Sequence, residues 1–416
     1  MGEIIILKGT IIYSKTPGEL AVCQGYVVSE DGMSKGCFEK LPAEYEGLPV
    51  ADYSGKLILP GMTDLHLHAP QYAFRGTAMD LELLDWLNTY TYPEEAKYGD
   101  LDYARKAYGI LVKDLLESPT TRACIFASLH TEGTLLLMEL LEDAGLPAYV
   151  GKLNMNRNAP ENYCELSTKA GMEETERWLA ECEKKGFTKV RPILTPRFTP
   201  SVTDDYMEAL GQLAKEKGLP VQSHLSENLG EIAWVKELCP DAVHYGDTYD
   251  LFSLFGSENP ALMAHCIYSS QEEVDLMKAN DVFIAHCPTS NENVIAGIAP
   301  ASKYLHEGLS IGLGSDIAGG HTLDLFKVMA SAVQVSKLYW RYLDQAEPPL
   351  SIAEVFWMAT VGGGGFFGKV GSFLPGYQFD AIVIDDAFLE TTRTLSPEER
   401  LERFVYLGNG KVMSKF

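Results

Sequence analysis

No C-x-x-C pair occurs among the eight cysteines (Cys23, Cys37, Cys124, Cys164, Cys182, Cys239, Cys266 and Cys287) of this 416-residue chain. A chain of that length does not depend on covalent staples, so a disulfide framework is excluded and reduced thiols are expected. Basic charge is also scarce. Lys and Arg number 34 against 58 Asp and Glu, a formal net charge of −24 with the acids spread along the chain. Such a balance offers no basic face for a phosphate backbone, which excludes nucleic acid and anionic membrane as partners. No stretch approaches the roughly 18 uninterrupted apolar residues of a membrane span. The N-terminal MGEIIILKGTIIYSK lacks the basic region and cleavage site of a secretory signal. A folded, soluble protein located in the cytoplasm is expected. Internal repeats and low-complexity segments are missing too.

What is present is an ordinary globular composition, 46% hydrophobic and 22% charged. The length suits one large barrel with a smaller satellite, or two to three ordinary domains. Residues 1–57 read as short strands (IIILKGTIIYS, AVCQGYVVSE, GCFEKL) divided by Gly, Pro and Asp turns. From Leu57 onward, short apolar strands alternate with helical stretches, the pattern of repeated βα units around a parallel sheet. Eight strands are expected at 56–68, 122–130, 148–155, 189–198, 221–227, 261–270, 282–290 and 310–316. Amphipathic helices such as MEETERWLAECEKKG and TDDYMEALGQLAKEKGLP lie between them. The expected fold is therefore α/β, a (β/α)8 TIM barrel over residues 58–367. The tail segments KVGSFLPGYQFDAIVIDD and RFVYLGNGKVMSKF return to strand character. They are expected to complete a small β-sandwich domain from both termini, residues 1–57 plus 368–416.

In this strand assignment the ionisable side chains collect at carboxyl ends, where barrel active sites are assembled. His66 and His68 end the first strand, His224 lies in the fifth, His265 in the sixth, and Asp316 closes the eighth. The period of two along a strand puts the His66 and His68 imidazoles on one face. Two chelating imidazoles on a rigid strand suit a divalent transition metal, and with His224 and Asp316 they make a four-donor set that leaves a position open for water. The metal would bring the pKa of that water toward neutrality. Glu227, three residues beyond His224 in SHLSEN, stands where a carboxyl group can overhang the water and move protons.

Five segments together, LPGMTDLHLHAPQ (59–71), HLSEN (224–228), AHCIYSS (264–270), AHCPTSN (285–291) and GLGSDIAGG (312–320), resemble the amidohydrolase superfamily. The resemblance covers nearly the whole chain. It implies metal ligation by His66, His68, His224 and Asp316, proton transfer by Glu227, and a hydrogen bond from His265 to the nucleophile or tetrahedral intermediate. Binuclear relatives carry a bridging lysine at the end of the fourth strand. Here that strand ends in TPRF, so one Zn2+ per chain is implied, with Fe2+, Mn2+ or Ni2+ as other possible occupants. The resemblance further implies that Gln71 and Arg197 hydrogen-bond the polar edge of a purine and that Phe198 packs on its ring. An arginine offers donors alone, which suit the O6 and N7 acceptors of guanine and not the N6 amino group of adenine. Deamination of guanine to xanthine and ammonia is the expected reaction, in a homodimer.

Alternatives stay open at this point. The same metal site serves deaminases of 8-oxoguanine, a pterin or a triazine; a hydrolase opening cyclic amides is a different reaction class, against which the missing lysine argues, and a catalytically silent barrel is a third class. The zinc deaminases built on H-x-E and P-C-x-x-C are excluded, because neither motif occurs. Gly363-x-Gly365-x-x-Gly368 formally matches a dinucleotide fingerprint but follows the helical EVFWMAT where a strand is required. His130 and His286 are expected to be structural or to stand near the site without touching the metal. Trp86 either packs a helix or borders the pocket.

Overall fold

Gly61 divides what reads as one long strand, 56–68, into two. A Cβ at this position would come within 2.2 Å of the Thr121 hydroxyl oxygen, so only glycine lets the chain turn there from one domain into the other. In the computed structural model, which describes residues 3–416, the strands are β1 (Ile4–Thr16), β2 (Glu19–Glu30), β3 (Met33–Phe38), β4 (Ala51–Pro60), β5 (Met62–His68), β6 (Thr120–Phe126), β7 (Ala148–Gly151), β8 (Leu153–Asn154), β9 (Val190–Pro192), β10 (Thr195–Pro196), β11 (Val221–Leu225), β12 (Ala261–His265), β13 (Phe283–His286), β14 (Ile311–Leu313), β15 (Ala381–Ile384) and β16 (Ser414–Lys415).

The β-sandwich domain from both termini is one hydrogen-bonded sheet of order β16-β15-β4-β1-β2-β3. Its own core gathers Leu7, Ile11, Val27 and Ile58 from the start of the chain with Phe373, Phe379 and Val383 from its end. Ile12, Leu57 and Leu59 join the main core of the barrel instead. One correction falls in the tail. RFVYL, read as strand, lies in a helix, Pro397–Leu407. Its start is fixed by a capping box between Ser396 and Glu399, which outweighs the strand propensity of the apolar run. Phe404 on this helix packs edge-on against Phe326.

The barrel consists of two parallel four-strand sets, β5-β6-β7-β9 and β11-β12-β13-β14. A Leu194–Val221 bridge joins the sets on one side. On the other, Asp316 N–H donates to the His66 carbonyl at 2.7 Å and His68 N–H to that of Ile317 at 2.9 Å, closing the ring. The third and fourth strands are interrupted, and β8 and β10 pair as a short outward extension. Pro192 and Pro196, which lack the N–H, fall at the ends of the two fourth-strand pieces. Leu65, Cys124, Leu262 and Ala285 from four different strands pack together with Ile193, which follows β9, so the barrel is filled below its mouth. Both helices read from the sequence form, Thr168–Lys185 and Asp204–Lys217, each ended by a left-handed glycine, Gly186 or Gly218. No helix among the described residues is long and apolar enough to cross a membrane.

Candidate active site

Strand geometry delivers the histidines to one place. His66 and His68 share a face of β5, His224 is the last residue but one of β11, His265 ends β12, and Asp316 follows β14. Three departures from extended backbone help: Ser226, His265 and Asp316 have φ of 48°, 75° and 45°, a left-handed turn that costs about 1–3 kcal/mol at a non-glycine residue. Gly314 allows the close approach that places Asp316, since a Cβ there would lie 2.8 Å from Cys287 Sγ and 2.9 Å from His66 Cβ.

The ring nitrogens of His66, His68 and His224 all lie within 4.8 Å of one another. His68 Nε2 is 3.2 Å from His224 Nε2. Asp316 Oδ1 is 3.3 Å from His66 Nε2 and 3.4 Å from His68 Nε2. Donors arranged tetrahedrally around a metal at 2.0–2.1 Å are separated by about 3.3 Å. His66 Nε2 has no partner with hydrogen-bond geometry among the described residues. His224 Nδ1 donates to the Arg197 carbonyl at 2.6 Å, so its Nε2 is the unprotonated nitrogen. Burial lowers the pKa of all three imidazoles and keeps them neutral, the form that ligates. Burial also opposes charge on Asp316, but His66, His265 and His68 outweigh it and hold the carboxyl below its usual range. The donor set therefore fits a four-coordinate divalent metal with one further position for water.

Glu227 stands beside this cluster, with Oε2 3.5 Å from His265 Nε2. Burial, then the nearby Glu231 and Asp316 carboxylates, push its pKa well above the usual value. Glu231 is held by the Tyr245 hydroxyl at 2.7 Å and by the main-chain N–H of Glu227 at 3.1 Å and Asn228 at 3.3 Å. His265 Nε2 is 3.7 Å from Asp316 Oδ2, and its Nδ1 donates to Asn291 Oδ1 at 2.9 Å.

A cavity opens over the cluster, lined by His68, His224, Glu227, His265 and Asp316 together with Gln71, Trp86, Leu87, Arg197 and Phe198. Of the residues singled out for chemistry or for base contact, all but His66 border one space, and His66 reaches it through Asp316, 3.3 Å from its Nε2. Trp86 borders it as well. His130 does not: its Nε2 meets the Ala96 carbonyl at 3.2 Å, and it lines a separate cavity with Lys152, which is paired to Glu165 at 2.7 Å. His286 is buried, pushed down to about 3 by burial and His265, and takes no part in either donor cluster.

Sequence reasoning missed Glu95, Glu231, Asn291 and Asp64. Glu95 receives Arg197 through two hydrogen bonds, at 2.6 and 3.2 Å, and Gln71 Nε2 through a third at 2.8 Å. Removing one partner of such a buried ion pair costs about 3–5 kcal/mol. Asp64 accepts from the N–H of Ser315 at 2.9 Å and of His66 at 3.3 Å, tying β5 to the end of β14. For Asp64, Asn291 and Glu231 a signal existed, since all three stand in or next to segments already carrying site residues.

A parallel (β/α)8 barrel with such a donor set and a buried acid at its mouth is the architecture of a metal-assisted hydrolase. The profile of the Amidohydrolase family matches residues 57–415, and the chain belongs to that family. It is 35% identical to a guanine deaminase of Dictyostelium discoideum, over 99% of this chain and 96% of the relative. It is 34% identical to a guanine deaminase of Homo sapiens, over 98% and 93% of the two chains. Among solved structures, it is similar to a crystal structure of guanine deaminase from C. acetobutylicum with bound guanine in the active site. There the TM-score is 0.96 and the identity 48%, covering 100% of this chain and 98% of that one.

Proposed function

We propose that this protein deaminates guanine to xanthine and ammonia, using one zinc ion held by His66, His68, His224 and Asp316. The observation that carries the reading is a single cavity bordered by His68, His224 and Asp316 of that donor set, by Glu227 and by Gln71, Arg197 and Phe198, in a chain similar along its whole length to a structure whose active site holds guanine. Nitrogen and oxygen donors support zinc, and the lack of a lysine in TPRF supports a single ion. When bound, such an ion supplies a hydroxide nucleophile near neutral pH.

Glu227 is the proton carrier. Its raised pKa lets it take a proton from the attacking water and deliver it to guanine N3 as C2 is attacked, with Asp316 assisting. Carboxylates at the site then pass the proton of the new C2 hydroxyl to the amino group, and ammonia leaves as the C2–N bond breaks and the C2 carbonyl forms. His265 stabilises the developing charge, and Asn291 keeps its ring in register. Arg197 donates to O6 and N7, Gln71 binds the polar edge, and Phe198 covers the ring. A base presenting an amino group at C6 keeps the N7 acceptor but sets a donor against the arginine N–H meant for O6, leaving it unpaired, which supports discrimination against adenine.

The catalytic barrel is residues 58–367, with 1–57 and 368–416 as the terminal domain. A cytoplasmic location, supported by eight free thiols, and a homodimer complete the reading. Leu338, Trp340, Tyr342 and Leu343, exposed near the end of helix Leu325–Tyr342, support the dimer; sedimentation analysis tests it.

The deciding experiment is ammonia release by zinc-loaded protein from guanine, 8-oxoguanine, adenine, cytosine, pterin and a triazine, with Glu227→Gln as control. Guanine turnover lost in the variant is expected. Turnover of another base in place of guanine overturns the assignment of Arg197 and Gln71.

A further inference from the structure

Glu95 has no exposed surface and stands behind the base-contacting side of the cavity. It ends a short helix, Tyr92–Glu95, between β5 and the helix Leu101–Glu117. Its Oε2 accepts from one Arg197 NH2 group at 2.6 Å; its Oε1 accepts from the other at 3.2 Å and from Gln71 Nε2 at 2.8 Å. One carboxylate therefore holds side chains from two distant strand ends.

The consequence for Gln71 is specific. An amide can flip, exchanging donor and acceptor. Here the carboxylate accepts from the amide nitrogen, while the Ala318 N–H donates to Gln71 Oε1 at 3.2 Å. These opposed partners fix which end of the amide is which, leaving one N–H and one oxygen lone pair for a ligand. For Arg197, the bidentate fork fixes the plane of the guanidinium, with Tyr92 stacked at 5.0 Å from its centroid, and leaves three N–H donors uncommitted.

We propose that Glu95 is a positioning residue that sets the pattern of donors and acceptors offered to a bound base, acting through Arg197 and Gln71. The proposal rests on the cavity being the guanine site. Glu95 itself touches neither base nor metal donors. Without its negative charge, Arg197 would be a lone buried cation free to turn, and Gln71 would present either face.

The test compares guanine with 2-aminopurine, which keeps the C2 amino group and lacks O6, in the unmodified protein, Glu95→Gln, Arg197→Gln and the double variant. In Glu95→Gln the kcat/KM preference for guanine is expected to fall about tenfold or more, through KM more than kcat, with bound zinc unchanged. The double variant is expected to lose less preference than the two single losses combined, because part of the effect of Glu95 passes through Arg197 and only the remainder through Gln71. A purely structural role predicts both bases slowed by one factor, and that result, or additive losses in the double variant, overturns the proposal. If Glu95→Gln does not fold, Glu95→Asp decides. It keeps the charge but is one carbon too short to hold both partners, so a partial loss of preference is expected and an unchanged preference is fatal. Failure of the underlying reading looks different: the unmodified protein then releases ammonia from neither base, and this proposal falls with it.

Discussion

His224 donates its Nδ1 hydrogen to the main-chain carbonyl of Arg197 across 2.6 Å. On the proposed reading, the residue that orients a metal donor through its backbone is thus the one assigned to the base through its side chain. Metal binding and base recognition would then share one strand end.

Removal of the metal is the direct check on the donor set. Dialysis against a chelator is expected to abolish ammonia release and lower the thermal midpoint, and added zinc to restore both. At free metal a thousandfold above Kd the stabilisation is about 4 kcal/mol. In His224→Ala the midpoint should no longer respond to zinc, as differential scanning calorimetry will show.

Loss of the proton carrier separates chemistry from assembly. Glu227→Gln is nearly isosteric and is expected to lower kcat by about a hundred- to ten-thousandfold. Zinc content measured by atomic emission should equal that of the unmodified protein, because Glu227 is not among the donors.

Asp324 caps the helix Leu325–Tyr342 by accepting from Phe326 N–H, and burial raises its pKa to about 6 from 3.8. Between those values the folded state keeps a proton that the unfolded state has lost, so stability falls as pH climbs through that window. Asparagine caps equally well and does not ionise. Asp324→Asn is therefore expected to gain about 1–3 kcal/mol near pH 7 and nothing below about pH 4, read from thermal midpoints at the two pH values.

Gly314 tests the closeness of the eighth strand to the first. The methyl group of Gly314→Ala presses on His66 Cβ and Cys287 Sγ. A stability loss of about 1–3 kcal/mol is expected, with weaker zinc affinity in a competition titration. Unchanged affinity would show that β14 can shift without moving its neighbour.

Much of this was legible before any coordinates. Each βα unit carries an apolar run and a punctuated helix, and strand ends place His66, His68, His224, His265 and Asp316 without tertiary information. The shared cavity for Gln71, Arg197 and Phe198 was inferred by resemblance alone. Glu95 was hidden because its partner Arg197 lies 102 positions away. Long-range pairing of buried charges leaves no periodic trace. The helix at Pro397–Leu407 was missed for the opposite reason: a local sign existed, Ser396 followed three residues later by Glu399, and the apolar RFVYL masked it.

The first and eighth barrel strands meet where Asp316 N–H reaches the His66 carbonyl, and the metal donors lie on both sides of that junction. A bound ion would act as a rivet through the joint between the oldest and newest parts of the barrel as the chain is made. Unloaded protein should therefore open first along that joint, with amide exchange at His66, His68 and Asp316 quickening well before the remaining strands loosen.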